Sequence, residues 1–303
     1  MFNDLTIALP VYKRTDFVRK ALDSAVNQTV ACKIVLIDNN SPHDDFKRIV
    51  ESYNNPNIKY VKTETTVPQD ENFNNCFRYS DTTWVTVLHD DDMLHCQYVE
   101  FCQKIIQERQ DHIGGIIYQC HVSEEEWKEV DKPTSLTSSI RKLNPAYFHF
   151  HNIPFPSVLV KRETALELGG FINDLHPIAD FDFWYRYTKR EQVYFVDQQM
   201  AYFRISPMQS TNHLIEAMIN NIYDYRMREI AASKHNTKRA RLCVEYVRVV
   251  NIDYFLGTYP NLIIPEYILN DKNVQRTRKR MKSSLYRKYM ERYMRKLSFG
   301  PQS

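Results

Sequence analysis

The sequence predicts an α/β fold: a mostly parallel twisted sheet flanked by helices, followed by a helical, basic C-terminal extension. Three observations carry that expectation. Short β-branched runs alternate with segments of helical spacing through the N-terminal part of the chain. Polar and acidic clusters follow those runs, where parallel sheets bind their ligands. Beyond residue 213 only long helical patterns remain, and they end in a strongly basic tail.

Residues 6–10 form a short apolar run stopped by a proline and read as the first strand. Within 16–29, Phe17, Ala21, Leu22 and Ala25 recur at helical spacing, with Thr15 or Asp16 placed to cap. Residues 32–37 are continuously apolar apart from Lys33, as a strand buried on both faces requires. They end at Asp38-Asn39-Asn40-Ser41-Pro42, a strong turn signal. Residues 58–61 read as a third strand, 72–80 as a helix, and 84–88 as a fourth strand running into Asp90-Asp91-Asp92. After Tyr118 the periodicity loosens, and 123–144 is polar and reads as irregular. Residues 157–160 are a further strand, and 164–168 one or two helical turns ended by Gly169-Gly170. Residues 178–190 begin a helix rich in acids and aromatics, and 214–234 and 238–256 are long helical patterns. The expected division is a sheet domain over 1–213 and a helical region over 214–303, with a basic amphipathic tail at 272–303.

A chain of 303 residues accommodates one large α/β domain with an appended piece. Its six glycines form neither GxGxxG nor GxxxxGK, which argues against a glycine-rich phosphate loop. Its six cysteines include no CxxC pair, which argues against zinc or thioredoxin-like chemistry and favours buried, reduced thiols in a cytosolic protein. No basic start followed by a long apolar run marks a signal peptide, and no stretch has the apolar length of a membrane span. Charge is uneven. Residues 272–303 hold eleven basic residues against Glu291 alone, a net of +10, in a chain whose total is +3, so the remainder is −7. A basic tail on an acidic body points to an anionic surface as its partner.

Asp90-Asp91-Asp92 is the densest chemistry. Adjacent carboxylates at the mouth of a buried strand repel one another unless a cation neutralises them. Mn2+ or Mg2+ takes oxygen ligands, often one or two carboxylates plus substrate phosphates, and stabilises a departing diphosphate. The bland alternative is an acidic turn capping the next helix. The strand at 84–88 immediately before it favours the ligand-binding reading.

Several segments together resemble the family 2 glycosyltransferases of bacterial polysaccharide and O-antigen type. They are residues 7–14, 21–29, 37–41, 72–74, 88–94 and 179–184, in the family's order over roughly residues 5–213. The resemblance implies the GT-A nucleotide-sugar fold and inverting transfer. It implies that Pro10, Tyr12, Arg14, Asp38, Asn39, Asn74, Asp90, Asp91 and Arg204 bind the donor. Tyr12 and Asp38 would meet the base, with Asn39 standing where many relatives have a second Asp. Either Asp90 or Asp91 would meet the ribose, and Asp92 would bind the metal, with His213 as a further candidate ligand. His89 occupies a place where relatives often carry another Asp. Asp180 is the candidate general base, in a position where relatives have the Asp of a Glu-Asp pair and where this chain has Ala179 before it. Asp182 is its competitor. On a helix the two point to different sides, so only one can face the sugar. Trp184 reads as core, with stacking on the acceptor as the alternative. Residues 204–213 resemble the loop that closes over the diphosphate, where Arg204 or His213 would touch it.

The leading function is transfer of a sugar from a nucleotide-sugar, UDP- or dTDP-linked, to a hydroxyl of a glycan or undecaprenyl-linked acceptor in surface polysaccharide or lipopolysaccharide synthesis. A sugar nucleotidyltransferase is disfavoured, because its glycine-rich basic loop is missing from residues 10–14. A non-catalytic membrane scaffold of the same fold is the third reading. In the tail, Met281, Leu285, Tyr289, Tyr293 and Leu297 recur every four residues, broadened by Met290 and Met294. Such a helix can lie on an anionic membrane, giving a cytoplasmic protein peripheral on the inner face of the cell membrane. Packing on the domain, or a basic arm for nucleic acid, are the alternatives; no nucleic-acid partner is expected.

Overall fold

The computed structural model describes residues 1–132, 134–136, 139–206, 214–258 and 262–299. The chain divides into two compact units, 1–142 with 153–206, and 143–152 with 207–303.

The first unit is built on one nine-stranded sheet. In chain order its elements are β1 Leu5–Val11, α1 Val18–Val26, β2 Lys33–Asp38, α2 Asp45–Ser52, β3 Ile58–Lys62, α3 Gln69–Tyr79, β4 Trp84–Val87 and β5 Met93–Leu94. Then come α4 Tyr98–Arg109, β6 Gly115–Ser123, β7 Ile140–Lys142, β8 Val158–Lys161, α5 Arg162–Glu167, α6 Ala179–Arg190 and β9 Val193–Arg204. The strand order is β3-β2-β1-β4-β8-β6-β9-β5, with β7 also on β9. β1 pairs in parallel with β2 and β4, β2 with β3, and β6 with β9; β8 lies antiparallel between β4 and β6. Six strands therefore share one direction, and only β5, β7 and β8 oppose it. The mostly parallel sheet follows from the sequence for a physical reason: every residue of β1 is buried, so both faces are covered and the strand reads as a continuous apolar run. Each fully buried Leu or Ile there contributes about 1.5–3 kcal/mol.

The carboxyl ends of β1, β2, β4 and β9 lie on the same edge of the sheet. That places Tyr12 to Arg14, Asp38, the acidic turn and Arg204 together. Several boundaries differ from the sequence expectation. α1 starts after Phe17 without a side-chain cap, so neither Thr15 nor Asp16 supplies one. α3 begins at Gln69, three residues before the expected 72, with Asp70 and Glu71 in its first turn, where the helix dipole favours acids. β6 continues past Tyr118 to Ser123, where its side chains become half-exposed and its register on β9 shifts, which is why the periodicity loosens there. Within the expected irregular stretch 123–144, residues 140–142 form β7 on β9. α2 and α4 have no counterpart among the expected elements.

The second unit is helical: α7 Ile215–Ala232, α8 Lys238–Thr258, α9 Glu266–Leu269, α10 Lys272–Met281 and α11 Ser284–Ser298. Asp271 caps α10 and Ser283 caps α11 with their side chains. Residues 143–152 belong here because buried Arg226 holds them. Its Nε donates to the Phe148 carbonyl, and its Nη2 to the His151 carbonyl and Asn152 Oδ1. The apolar stripe of the tail is consumed inside this unit. Met290 and Met294 are buried against α7 and α8, with Met281, Tyr286, Tyr293 and Leu297 packed around them. Leu285 remains 79% exposed and Tyr289 44%. The free amphipathic face expected from the sequence is thus mostly core. Ten basic side chains of α10, α11 and the turn between them stay exposed. No described helix is long and apolar enough to cross a membrane. Five cysteines are buried and free, while free Cys120 is half-buried.

Candidate functional site

The site is built on the carboxyl edge of the sheet. After β1, Lys13 takes a positive φ of 58°, and its N–H donates to Ser41 Oγ at 2.9 Å, which turns the chain back over the edge. Tyr12 is left 38% exposed, with the Lys13 ammonium 4.7 Å from its ring centre. Pro10 lies within β1, paired beside Ile37 of β2. Asp38 is fully buried at the end of β2. It accepts from the Ser41 N–H on Oδ1 and from the Tyr60 hydroxyl on Oδ2, both at 2.8 Å. Asn39 exchanges two hydrogen bonds with the Val67 backbone, so its amide fixes the neighbouring loop.

The acidic turn follows β4, and its three carboxylates are not equivalent. Arg14 Nη2 bridges Asp90 Oδ1 and Asp91 Oδ2, each at 2.7 Å, and so sets one positive charge against two of them. Asp92 is 0% exposed. Its Oδ1 accepts from the Arg204 N–H at 2.9 Å, while buried Oδ2 has no hydrogen-bond partner and faces His89 Nδ1 at 3.4 Å. Burial pushes the Asp92 carboxyl up to about 6; His89 opposes that shift and Asp91 adds to it. Burial also raises Asp90, with Asp91 adding to it. For His89, burial acts to lower the imidazole, but the three aspartates outweigh it and raise it. Arg204 lies beneath the turn. Its Nε donates to the Asp91 carbonyl at 3.0 Å, and its guanidinium stacks 4.4 Å from the Phe17 ring centre.

One ligand atom from each of His89, Asp91 and Asp92 lies within 4.8 Å of the others. A buried carboxylate oxygen without a donor beside a second carboxylate fits a divalent cation. His213, the other candidate ligand, lies outside the described residues.

The glycosyl transferase family 2 model matches residues 6–167, more than half of the chain. The chain belongs to glycosyltransferase family 2. An uncharacterized glycosyltransferase of Haemophilus influenzae is 24% identical over 273 residues, 84% of this chain and 88% of its own. One of Rickettsia typhi is 23% identical over 251 residues, 80% and 75% of the two chains. Among solved structures, S. aureus TarS 1–349 in complex with UDP-GlcNAc matches with a TM-score of 0.60 at 14% identity, over 88% of this chain and 76% of that one. A longer TarS chain is matched over 44% of its length, with a TM-score of 0.58 at 13% identity. The mannosyltransferase of Pyrobaculum calidifontis in complex with GDP-Man and Mn2+ matches with a TM-score of 0.59 at 13% identity, over 96% and 84%. At such identities these structures speak to the fold, which is the expected GT-A type.

In this glycosyltransferase the two carboxylates that open α6 have different surroundings. Asp182 is buried and receives Arg186 Nε at 2.6 Å; the same guanidinium donates to the carbonyls of Leu168 and Gly170. Asp182 therefore fastens the chain entering α6. Asp180 is half-buried, and its Oδ1 accepts from the Phe181 N–H at 2.7 Å. Burial pushes its carboxyl up to about 6; nearby Asp70 adds to the shift and His89 of the acidic turn opposes it. Trp184 is core, packed among Phe155, Phe171 and Phe183.

Asn74 faces the protein. Its amide exchanges hydrogen bonds with both backbone groups of Phe171, at 2.9 and 2.7 Å. Gly170 has a φ of +61°, and a Cβ there would collide with the Asn74 amide. Gly170→Ala is expected to lower stability by roughly 1–3 kcal/mol, through the left-handed backbone and the displaced amide. Urea denaturation measures it, and an unshifted midpoint refutes this account.

Two further residues had no place in the sequence reading. Asp70 is buried on α3 and pairs through Oδ2 with His176 Nδ1 at 3.0 Å. They stand 106 positions apart, so no local spacing announces the pair. Phe155 was equally silent; its ring and that of Phe73 flank His89.

Proposed function

We propose that the chain is an inverting, metal-assisted glycosyltransferase that moves a sugar from a UDP- or dTDP-sugar to a hydroxyl of a glycan or undecaprenyl-linked acceptor in surface polysaccharide synthesis. The observation that carries this reading is Asp180. It is a half-buried carboxylate at the start of α6, pushed up to about 6 by burial, with His89 of the acidic turn opposing that shift. A general base works best with a pKa near the working pH. Asp180 accepts the acceptor hydroxyl's proton as that oxygen bonds to the anomeric carbon, and the bond from that carbon to the diphosphate breaks. Asp182, whose carboxylate is engaged by Arg186, is the competitor and the less suited of the two.

On the donor side, Tyr12 offers an exposed ring for the base beside Asp38, and Asp91 or Asp90 offers a carboxylate to the ribose. Asn39 and Asn74 act as positioning residues, because their amides are engaged by backbone. Asp92 would hold Mn2+ or Mg2+, which when bound stabilises negative charge on the leaving diphosphate. The complexes of the structural neighbours with UDP-GlcNAc and with GDP-Man and Mn2+ support a nucleotide-sugar and a divalent ion.

The test is nucleotide release from a panel of nucleotide-sugars with Mn2+ and candidate acceptors. Turnover that disappears in Asp92→Ala and Asp180→Ala supports the reading. Thermal stabilisation by a nucleotide without turnover refutes it.

The exposed basic face of α10 and α11 supports attachment to an anionic, inner-face membrane. With the apolar stripe packed inside, attachment is by charge, at about 1 kcal/mol per basic residue near the surface. Lys288→Glu with Arg292→Glu and Lys296→Glu is expected to cut co-sedimentation with phosphatidylglycerol vesicles at least tenfold. Raising the salt on the unaltered protein is expected to do the same. Binding that persists in the triple variant refutes attachment through this face.

A further inference from the structure

The proposed metal site contains one residue whose chemistry differs from its neighbours. His89 follows Leu88 directly at the end of β4, and the Asp92 N–H donates back to its carbonyl at 3.3 Å. That turn sets the side chains of His89 and Asp92 on one side. The imidazole is clamped between two rings, with centroids 5.0 Å from Phe73 at 20° and 4.3 Å from Phe155 at 33°. Its plane is therefore fixed by packing.

Nδ1 faces Asp92 Oδ2 across 3.4 Å. A charge-assisted hydrogen bond closes to about 2.7–2.9 Å, so this spacing is too long for one. Two ligands each about 2.0–2.2 Å from a shared ion, at tetrahedral or octahedral angles, stand roughly 3.0–3.5 Å apart. Asp92 Oδ2 is buried in a side chain with no exposure and has no hydrogen-bond donor. It is an unsatisfied acceptor aimed at the same point as the imidazole nitrogen.

We infer that His89 Nδ1 and Asp92 Oδ2 together ligate the divalent ion, and that this mixed nitrogen–oxygen pair selects a first-row transition ion over Mg2+. The inference rests on the metal-assisted reading above and adds a ligand and a selectivity to it. Mg2+ is a hard ion that takes oxygen, whereas imidazole binds later divalent metals better. Leu88 and Met93 bracket the turn with buried apolar side chains, and Asp91 is the third ligand group within reach.

The experiment is three-pulse electron spin-echo modulation of Mn2+ bound to the whole chain with UDP, which detects a nitrogen directly on the ion. The unaltered protein is expected to show imidazole nitrogen modulation. His89→Asp is expected to keep bound Mn2+, lose the modulation, and shift Mn2+/Mg2+ competition towards Mg2+ by roughly 10–100-fold, the range for losing one well-placed interaction at a metal site. His89→Asn keeps a planar polar group between the two rings; it is expected to lose the modulation as well, and it stands in if the charged variant unfolds. If Mn2+ binds, is lost in Asp92→Ala, and shows no nitrogen, the His89 assignment falls while the metal-assisted reading stands. A nitrogen signal that survives both His89 variants comes from another histidine and also overturns the assignment. If the unaltered protein binds no Mn2+ in the presence of UDP, the metal-assisted reading itself falls.

Discussion

Asp180→Asn is expected to lower the transfer rate by roughly 10²–10⁴-fold, the usual weight of general-base catalysis, while changing donor KM little. Asparagine keeps an oxygen for the Phe181 N–H, so the local fold of α6 survives and only the proton acceptor is lost. The pH dependence follows from the same carboxyl. A base must be ionised to accept a proton, and burial holds Asp180 up to about 6. The rate of the unaltered enzyme therefore falls as pH drops through about 6, and this limb disappears in the residual activity of Asp180→Asn. The stability sign is opposite. A carboxyl raised in the folded state stabilises the fold below its unfolded value near 3.9, and that contribution is lost as pH rises through the folded value. Asp180→Asn is thus expected to raise Tm at pH 7.5 and to leave it unchanged near pH 3.5. Asp182→Ala behaves the other way. It frees Arg186 from its carboxylate and costs about 2 kcal/mol in urea denaturation, while the rate limb near pH 6 remains. A full loss of rate in Asp182→Ala, with Asp180→Asn active, would exchange the two assignments.

The fold was legible where burial was symmetric. β1, β2 and β4 are covered on both faces, so their apolar runs are continuous and their ends are marked by polar turns. The second half of the sheet was less legible. β6 changes from fully buried to half-exposed midway, and β5 and β7 are two and three residues long, below any periodicity. Residues 143–152 join the helical unit through Arg226, a tie that only the folded chain makes. Within the site, the acidic turn was readable as a block, but its division was not. Arg14 takes Asp90 and Asp91 from another strand end and leaves Asp92 facing His89. The different surroundings of Asp180 and Asp182 likewise depend on Arg186, which pairs with Asp182 from one turn ahead. The tail illustrates the converse limit: a stripe of apolar residues states that a face is buried, not whether protein or membrane buries it. Met290 and Met294 inside the helical unit answer that for most of the stripe.

Asp92→Asn is expected to remove metal-dependent transfer by about 10³-fold or more and to weaken Mn2+ binding at least 100-fold, in contrast to Asp180→Asn, which keeps both metal and donor. The argument is electrostatic. Asp90 and Asp91 share Arg14, so the turn has one carboxylate without a fixed cation, and it is the most deeply buried of the three. A cation stabilising the departing diphosphate supplies several kcal/mol to the transition state, which sets the size of the loss. Asparagine preserves the hydrogen bond from the Arg204 N–H but places a neutral amide where the unsatisfied Oδ2 was. Without metal the variant is expected to be more stable than the unaltered protein, because a buried charge with no donor on Oδ2 has gone. With Mn2+ and UDP the order reverses, because only the unaltered protein gains binding free energy from the ion. Thermal unfolding of both proteins, with and without Mn2+ and UDP, reads both signs in one experiment. Equal stabilisation of the two by Mn2+ would place the ion elsewhere and remove Asp92 from the metal site.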